Sequence, residues 1–317
     1  MSKQRAHRFF LYLALEGFRH FILILPRRVG FALATGIGTF TYWILAKERA
    51  KTVRSLKEAF GNEKTDRECL RIGREAFVHL AKSGIDIFRF PLLNRKRVER
   101  LVSVEQESLN RLNAALKRGN GAIVLTGHLG NWELLASYFR FLGYPGILVG
   151  RRIYYEPYDR VLVSLRKSAL VSTIYRDESP RKVLAELKAN HIVGLSADQD
   201  IDSVEGIFVP FFGKLAWTPI GPAKMALASG APIVPAFMVH DDDGGGYRLF
   251  VEEPIWPVEE GSREEAAKRM TEAWSQVVER YIRHYPNQWV WMHNRWKTKR
   301  ELKTEMKNSE PLEQVAS

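Results

Sequence analysis

The sequence is short of cysteine, since Cys69 is the only one in 317 residues. A single cysteine excludes a disulfide framework and any zinc site built from several thiolates. Cys69 lies in a segment with helical spacing and has no neighbouring base to activate its thiol, so we interpret it as an ordinary helix residue. The N-terminal region contains no convincing small-residue cleavage site, so we predict no removable signal peptide.

Several catalytic motifs are also missing. The sequence contains no G-x-S-x-G elbow, no H-E-x-x-H zinc pattern and no G-x-x-x-x-G-K-S/T phosphate loop, which excludes the enzyme classes that depend on them. Residues 198–203 resemble the start of a calcium loop. However, Ser203 replaces the required glycine and Val209 replaces the closing glutamate, so we reject a calcium site.

What the chain has in excess is positive charge. It carries 48 Lys and Arg against 36 Asp and Glu, a net charge of +12. A basic surface attracts polyanions such as nucleic acid, an anionic membrane or an acidic carrier protein. Ten of the basic residues but only two acids lie in residues 1–54. This concentration favours a membrane over nucleic acid, because it flanks two apolar segments.

The two apolar segments are residues 9–25 and 29–46, and the second has no charged residue over 18 positions. Eighteen residues is about the lower limit for a spanning helix. The segments could form a hairpin, one span, helices lying in the interface, or a buried helix pair. We predict a membrane-associating N-terminal segment (1–46), a main domain (47–300) and a polar C-terminal tail (301–317).

From residue 47 onwards, predicted helices alternate with short β-branched runs. This alternation predicts an α/β fold, with a mostly parallel central sheet flanked by helices. One antiparallel hairpin is predicted around residues 241–246, where the sequence reads DDDGGG. The predicted strands are 122–127, 146–150, 171–176, 191–198, 231–240 and 247–255.

The C-terminal stretch QWVWMHNRWK has alternating character. A strand there would place Trp289, Trp291 and His293 on one face. The tryptophans would then lie at a membrane interface or pack on a sheet edge, and both interpretations remain open. His293 is interpreted as a structural histidine.

Chemically interesting residues cluster at the ends of predicted strands. His128 and Glu133 follow the strand 122–127, and the acidic segment ADQD (197–200) follows another. The end of the strand 231–240 forms a third such region. Ligands of parallel sheets bind beyond the carboxyl ends of the strands, so we predict a shared site there.

The stretch GHLGNWELL (127–135) places His128 in a loop and Glu133 in the first turn of the next helix. In that arrangement the glutamate can reach back to the histidine, and a carboxylate-held histidine is a stronger general base. The alternative is a simple helix start, with Gly130 as the cap and Glu133 favoured by the helix dipole. Spacing alone leaves both open.

The motif also resembles the H-x-x-x-x-D/E motif of the bacterial lipid A biosynthesis acyltransferases, within the wider lysophospholipid acyltransferase group. The ADQD block with GIFVPFFGKLAWTPIGPAKMALASGAPIVPAF, and the C-terminal YPNQWVWMHNRWK, are similar to further blocks of that family. The resemblance covers nearly the whole chain.

The resemblance implies roles for individual residues. His128 would be the general base and Glu133 its charge-relay partner. Substrate-binding residues would be Asn131, Arg166, Asp198 and Gln199, with Arg176 a rival for the arginine position. The oxyanion would be stabilised by backbone N–H groups, with the Asn131 amide as a further donor. An acyl chain would need an apolar groove, for which we consider residues 208–213 and 134–142; Phe208, Phe211 and Phe212 could equally be core.

The resemblance further implies the reaction and its partners. An acyl group would pass from an acyl carrier protein thioester, or acyl-CoA, to a hydroxyl of an anionic lipid A precursor at the cytoplasmic face of the bacterial inner membrane. No covalent acyl-enzyme, metal or cofactor is expected. Alternatives are another acceptor, such as a mannosylated phosphoinositide or a lysophospholipid, and a metal hydrolase built on His128, Glu133 and Asp198. A nucleic-acid-binding protein with a membrane tail is the non-enzymatic alternative.

Overall fold

A computed structural model describes residues 3–178, 180–242, 245–258 and 260–299. Its strands are β1 (Val102–Val104), β2 (Ala122–Thr126), β3 (Gly146–Gly150), β4 (Ser172–Tyr175), β5 (Ile192–Ser196), β6 (Gly206–Phe211), β7 (Lys214–Pro219), β8 (Ile233–His240) and β9 (Tyr247–Val251). Seven of them form one sheet in the order β1-β9-β8-β2-β5-β3-β4, while β6 and β7 form a separate hairpin.

The sheet confirms the predicted α/β class. Its neighbouring strands run parallel apart from the β8–β9 pair, which is antiparallel and forms the hairpin predicted around residues 241–246. Strands β2, β5, β3 and β4 are all parallel, so their carboxyl ends meet at one edge of the sheet. The chemically interesting loops after β2 and β5 are therefore neighbours in space.

Helices cover both faces of the sheet. They are α1 (Lys3–Ile24), α2 (Arg27–Ile44), α3 (Ala46–Phe60), α4 (Asp66–Phe88), α5 (Arg95–Leu101), α6 (Gln106–Leu116), α7 (Trp132–Phe141), α8 (Glu156–Ser168), α9 (Pro180–Lys188), α10 (Gly221–Ser229) and α11 (Arg263–His284). Alternate residues of β2 serve two cores. Ile123 and Leu125 pack with α4, α10 and α11, whereas Ala122 and Val124 pack with α6 and α7. Burial on both faces explains why β2 is apolar up to its last residue, Thr126.

The helix α2 lies against α4 through a face of small residues. Gly30, Ala34, Gly38 and Tyr42 are buried at a spacing of four, which places them on one side of the helix. A Cβ at Gly38 would lie 2.6 Å from the Cα of Val78, so only glycine permits this close approach. The small-residue face is therefore what allows the N-terminal segment to dock on the main domain.

The opposite faces of α1 and α2 are apolar and exposed. Large exposed side chains there include Phe9, Phe10, Phe21, Ile24, Phe40 and Trp43. Among the described residues, no individual helix has the length and apolar character to cross a membrane; by those two criteria alone, one pair bent by 91°, Arg27–Ile44 with Ala46–Glu63, qualifies. Membrane association therefore stays a prediction.

The structure differs from the sequence-based expectation in the C-terminal region. The segment after Gln288 is not a strand but a series of turns. Trp289 and Trp291 are 1% and 0% exposed, so the membrane-interface interpretation is wrong. They pack in an aromatic cluster with Phe211 and Phe212, and their spacing reflects insertion into this core.

The same cluster decides one of the two predictions for an acyl-chain groove, that for residues 208–213. Phe211 and Phe212 are buried core residues, held by the β6–β7 hairpin that the sequence analysis did not predict. Phe208 is half-buried and packs edge-on against Trp217. The predicted tail 301–317 lies outside the described residues, and the proposed domain boundaries stay predictions.

Candidate active site

The loop that carries His128 is shaped by the strand before it and by its neighbours. It leaves β2 at Thr126, and Gly130 has a positive φ of 62°. A Cβ at Gly130 would lie 2.0 Å from the carbonyl oxygen of Met238, so glycine is required. The amide of Gly130 donates to the carbonyl of Gln288 at 3.0 Å, and that of Asn131 to the Met238 carbonyl at 2.7 Å. The loop is thus held by β2 before His128 and by these two hydrogen bonds after it.

His128 is held by Asp198, from the loop after β5. Nδ1 of His128 lies 2.7 Å from Oδ1 of Asp198, and the backbone amide of His128 donates to Oδ2 at 2.7 Å. The indole of Trp289 donates to the same Oδ2 at 2.7 Å. A carboxylate facing Nδ1 keeps the ring proton there, which leaves Nε2 free to accept a proton.

The electrostatics of the pair match this geometry. Burial lowers the pKa of His128, but the charge and hydrogen bond of Asp198 outweigh burial and leave the pKa above its ordinary value of 6.5. Burial likewise acts to raise the pKa of Asp198, while His128 and the Trp289 donor hold it below its usual range. Asp198 therefore stays ionised, and His128 is 25% exposed and able to meet a substrate.

Glu133 does not occupy the position expected of a charge-relay partner. Both of its oxygens are engaged by Arg166, whose Nε donates to Oε2 at 2.8 Å and whose Nη2 donates to Oε1 at 2.6 Å. Glu133 lies in the first turn of α7, and Arg166 lies in the last turn of α8. The expected contact between His128 and Glu133 is therefore absent, and the acid that contacts His128 is Asp198.

Asn131 also differs from its expected place. It is the N-cap of α7, and its Oδ1 accepts the amide of Leu134 at 3.0 Å. Its Nδ2 donates to the hydroxyl of Tyr247 at 3.0 Å, and the residue is 1% exposed. Because both polar atoms are engaged behind the loop, the amide is not directed at a bound substrate.

The remaining predicted residues line one large cleft beside His128. The cleft has a volume of about 820 Å³, and its walls include Arg166, Arg176 and Gln199. Arg151, which follows β3, also lines it. His293 reaches the cleft as well, with Nε2 lying 3.2 Å from the carbonyl of Asp200. Sequence reasoning missed Arg151, although its position directly after a strand was a usable signal.

An apolar pocket adjoins this cleft between α7 and the sheet. Trp132, Leu148 and Leu195 line both spaces. The α7 side chains Leu135, Ala136 and Phe139 form its wall, so the segment 134–142 supplies an apolar lining, as one of the two groove predictions requires. The open space is only about 30 Å³, far below the ~300–1,000 Å³ of ordinary ligand pockets. A chain could enter only if α7 and the sheet moved apart.

The arrangement places His128, with an ionised carboxylate at Nδ1, at the carboxyl edge of the sheet. The histidine faces a polar cleft next to an apolar pocket, and the described residues hold no group of three or more His, Cys, Asp or Glu that could bind a metal. Comparison with known proteins assigns the family. Residues 2–298 match the bacterial lipid A biosynthesis acyltransferases. The chain belongs to this family, which is one of O-acyltransferases.

Individual relatives fall into two groups. The lipid A biosynthesis lauroyltransferase of Escherichia coli is 29% identical over 88% of this chain and 89% of its own length. The phosphatidylinositol mannoside acyltransferase of Mycolicibacterium smegmatis is 28% identical over 70% of this chain and 71% of its own length. The corresponding Mycobacterium tuberculosis protein is 26% identical over 67% of this chain, and the match spans 66% of its length, just under two thirds.

Proposed function

We propose that this protein transfers a fatty acyl group from an acyl carrier protein thioester to a hydroxyl of a lipid A precursor, with His128 as the general base. The observation that carries this proposal is the contact between His128 Nδ1 and Asp198 in a cleft that adjoins an apolar pocket. Asp198 takes the orienting role that the sequence had given to Glu133.

The chemical step needs only one base and no covalent enzyme intermediate. Nε2 of His128 takes the proton of the acceptor hydroxyl, and the oxygen attacks the thioester carbonyl carbon. The tetrahedral intermediate then collapses with cleavage of the carbon–sulfur bond, and the thiolate receives the proton from His128. Asp198 stabilises the imidazolium formed between these steps, as an ionised carboxylate 2.7 Å from Nδ1 should.

In this proposal Glu133 acts through Arg166. A bidentate, buried carboxylate fixes the plane of the guanidinium. Arg166 then lies in the cleft with Arg151 and Arg176, which suits an acceptor that carries phosphate groups. Gln199, in the same wall, would bind polar groups of the acceptor.

The acyl chain would occupy the apolar pocket under α7. The surface that lines it is mostly apolar, and it begins at Trp132, whose ring lies 5.0 Å from that of His128. A thioester carbonyl beside His128 would therefore have its chain at the pocket entrance. The small open volume implies that the pocket opens when a chain enters, driven by the apolar surface buried.

The enzyme would work at the cytoplasmic face of the inner membrane. The helices α1 and α2 expose more large apolar side chains than the scattered single residues that are normal on a protein surface. Basic residues flank both helices in the sequence. Such a surface suits helices lying in an anionic interface. It would bring the cleft to an acceptor that is itself a membrane lipid.

A lipid A precursor is favoured over a mannosylated phosphoinositide as the acceptor because the lipid A relative matches more of this chain. The match to the lauroyltransferase spans 88% of this chain, against 67–70% for the mannoside acyltransferases. Both acceptors are anionic glycolipids, so the arginines of the cleft suit either.

The test is to offer the purified protein in detergent an acyl carrier protein thioester with lipid A precursor, phosphatidylinositol mannoside or lysophospholipid in parallel. Mass spectrometry should show one added acyl group on the lipid A precursor, and acyl-CoA in place of the carrier should be a poorer donor. Release of free fatty acid without transfer would point to a hydrolase. Loss of activity in a strong chelator would support the metal hydrolase alternative instead.

A further inference from the structure

A chain of buried hydrogen bonds leads away from the His128 loop to the N-terminal helices. It begins at Asn131, whose Oδ1 caps α7 by accepting the Leu134 amide. Asn131 Nδ2 donates to the hydroxyl of Tyr247 at 3.0 Å, and that hydroxyl donates to Oδ2 of Asp86 at 2.7 Å. The Asn131 amide accepts through its oxygen and donates through its nitrogen, and the Tyr247 hydroxyl accepts from Asn131 and donates to Asp86, so the orientation of the Asn131 side chain is fixed.

This series of hydrogen bonds ends at Arg27, the first residue of α2. Its Nη2 donates to Oδ2 of Asp86 at 2.7 Å, and its Nε lies 3.0 and 3.1 Å from the two oxygens. Asp86, Tyr247 and Asn131 are 5%, 1% and 1% exposed, whereas the Arg27 side chain is 24% exposed. The inner members are thus desolvated, and Arg27 supplies the balancing charge from the surface.

This series of hydrogen bonds joins three parts of the fold that are far apart in the sequence. Arg27 belongs to the exposed apolar helix α2, Asp86 to α4 and Tyr247 to β9. The other end, Asn131, lies between His128 and Glu133, so any rotation of its amide would move the start of α7. A misplacement of about 1 Å can cost about a hundredfold in rate, even when it arises far from the reacting atoms.

We propose that Arg27, Asp86 and Tyr247 are positioning residues, which hold the His128 loop and the start of α7 in their working geometry through the amide of Asn131. They thereby couple the seating of α2, a helix with an apolar outer face, to acyl transfer. The inference rests on the proposed function for its kinetic consequence. Its structural consequence, the order of the loop, is independent of any activity.

The test has a matched control within the chain. Tyr281 donates its hydroxyl to Glu252, which also pairs with Arg280 at 2.7 Å. That triad also joins a tyrosine hydroxyl, a carboxylate and an arginine, but within the described residues no hydrogen bond links it to the His128 loop or to α7. Tyr247→Phe should lower kcat about tenfold or more with KM for the acyl donor changed less than about twofold. Tyr281→Phe should leave both within about twofold.

Arg27→Gln is the second variant, at the exposed end where folding is less at risk, and Arg280→Gln is its control. Arg27→Gln should also lower kcat with little change in KM. Because both changes break one chain, Tyr247→Phe with Arg27→Gln should lose about as much as the worse single variant. A loss equal to the product of the two, or a Tyr247→Phe kcat like that of Tyr281→Phe, would overturn the proposal.

Hydrogen exchange separates this inference from the proposed function. Peptides spanning residues 128–136 contain the Leu134 amide bound by Asn131. In Tyr247→Phe these peptides should exchange at least several times faster than in the unmodified protein, and in Tyr281→Phe they should not. If the protein proves to lack acyl transfer activity, hydrogen exchange alone tests the positioning role. Equal exchange rates of these peptides in Tyr247→Phe and Tyr281→Phe would refute it.

Discussion

Replacing Asp198 with asparagine should disable the base while preserving the packing around it. Asp198 accepts three hydrogen bonds, from Nδ1 and the backbone amide of His128 and from the Trp289 indole. Asparagine has one oxygen and one NH₂ group. If the oxygen keeps the indole and the backbone amide, the NH₂ group faces Nδ1. The ring proton must then sit on Nε2, the nitrogen that has to accept the substrate proton.

The size of the loss follows from the tautomer. In Ser-His-Asp hydrolases, the corresponding change traps the wrong tautomer and lowers kcat by about 10⁴. Here we expect a fall of about 10³–10⁴, equivalent to about 4–5.4 kcal/mol of transition-state stabilisation. This loss is larger than that expected from one weakened hydrogen bond, about 0.5–1.5 kcal/mol.

The assay is the initial rate of acyl transfer as a function of pH. A base must be neutral, and Asp198 raises the pKa of His128 above 6.5, so the acidic limb of the unmodified enzyme should lie above that value. In Asp198→Asn the residual rate should have its limb at lower pH, because the raising charge is gone. The control is Asp159→Asn, a buried carboxylate that accepts the Ile153 amide at 2.8 Å. A rate within about tenfold of normal, or an unmoved limb, would refute this reasoning.

Two further changes probe the pocket and the buried ion pair. Arg166→Gln leaves the Glu133 carboxylate buried without its bidentate partner, so the protein should lose about 3–5 kcal/mol of stability; denaturant unfolding would measure this, and an unchanged midpoint would contradict it. Ala136→Phe narrows the apolar pocket, so competition between thioesters of different length should shift towards shorter chains; an unchanged preference would place the acyl chain elsewhere.

The general fold could be predicted because local patterns decide it. The apolar run 122–125 in β2 and the alternation of helices and strands can be recognised without knowledge of distant contacts, and they predicted the parallel sheet and the His128 loop. The β6–β7 hairpin escaped prediction because its turn places Phe212, not glycine, at a positive φ of 51° before Gly213. Without the hairpin, the apolar residues of β6 were interpreted as a possible groove lining.

The contacts within the site depended on strand order, which no local pattern contains. Asp198 is 70 residues from His128 in the sequence, and the two meet because β5 lies beside β2 in the sheet. Glu133, only five residues from His128, looked like the natural partner. Glu133 instead pairs with Arg166 on α8, because a buried carboxylate requires a close cation. The family resemblance pointed to Asp198 and Arg166 as site residues, but it did not show which residues they contact.

The most direct test of the account is the initial rate of acyl transfer by His128→Ala, measured beside the unmodified protein with the same thioester and lipid A precursor. We expect a loss of at least a hundredfold, the usual scale for a missing general base, and no smaller than that of Asp198→Asn, in a variant that remains folded. A rate close to that of the unmodified protein would contradict the assignment of His128 as the base, and with it the proposed mechanism.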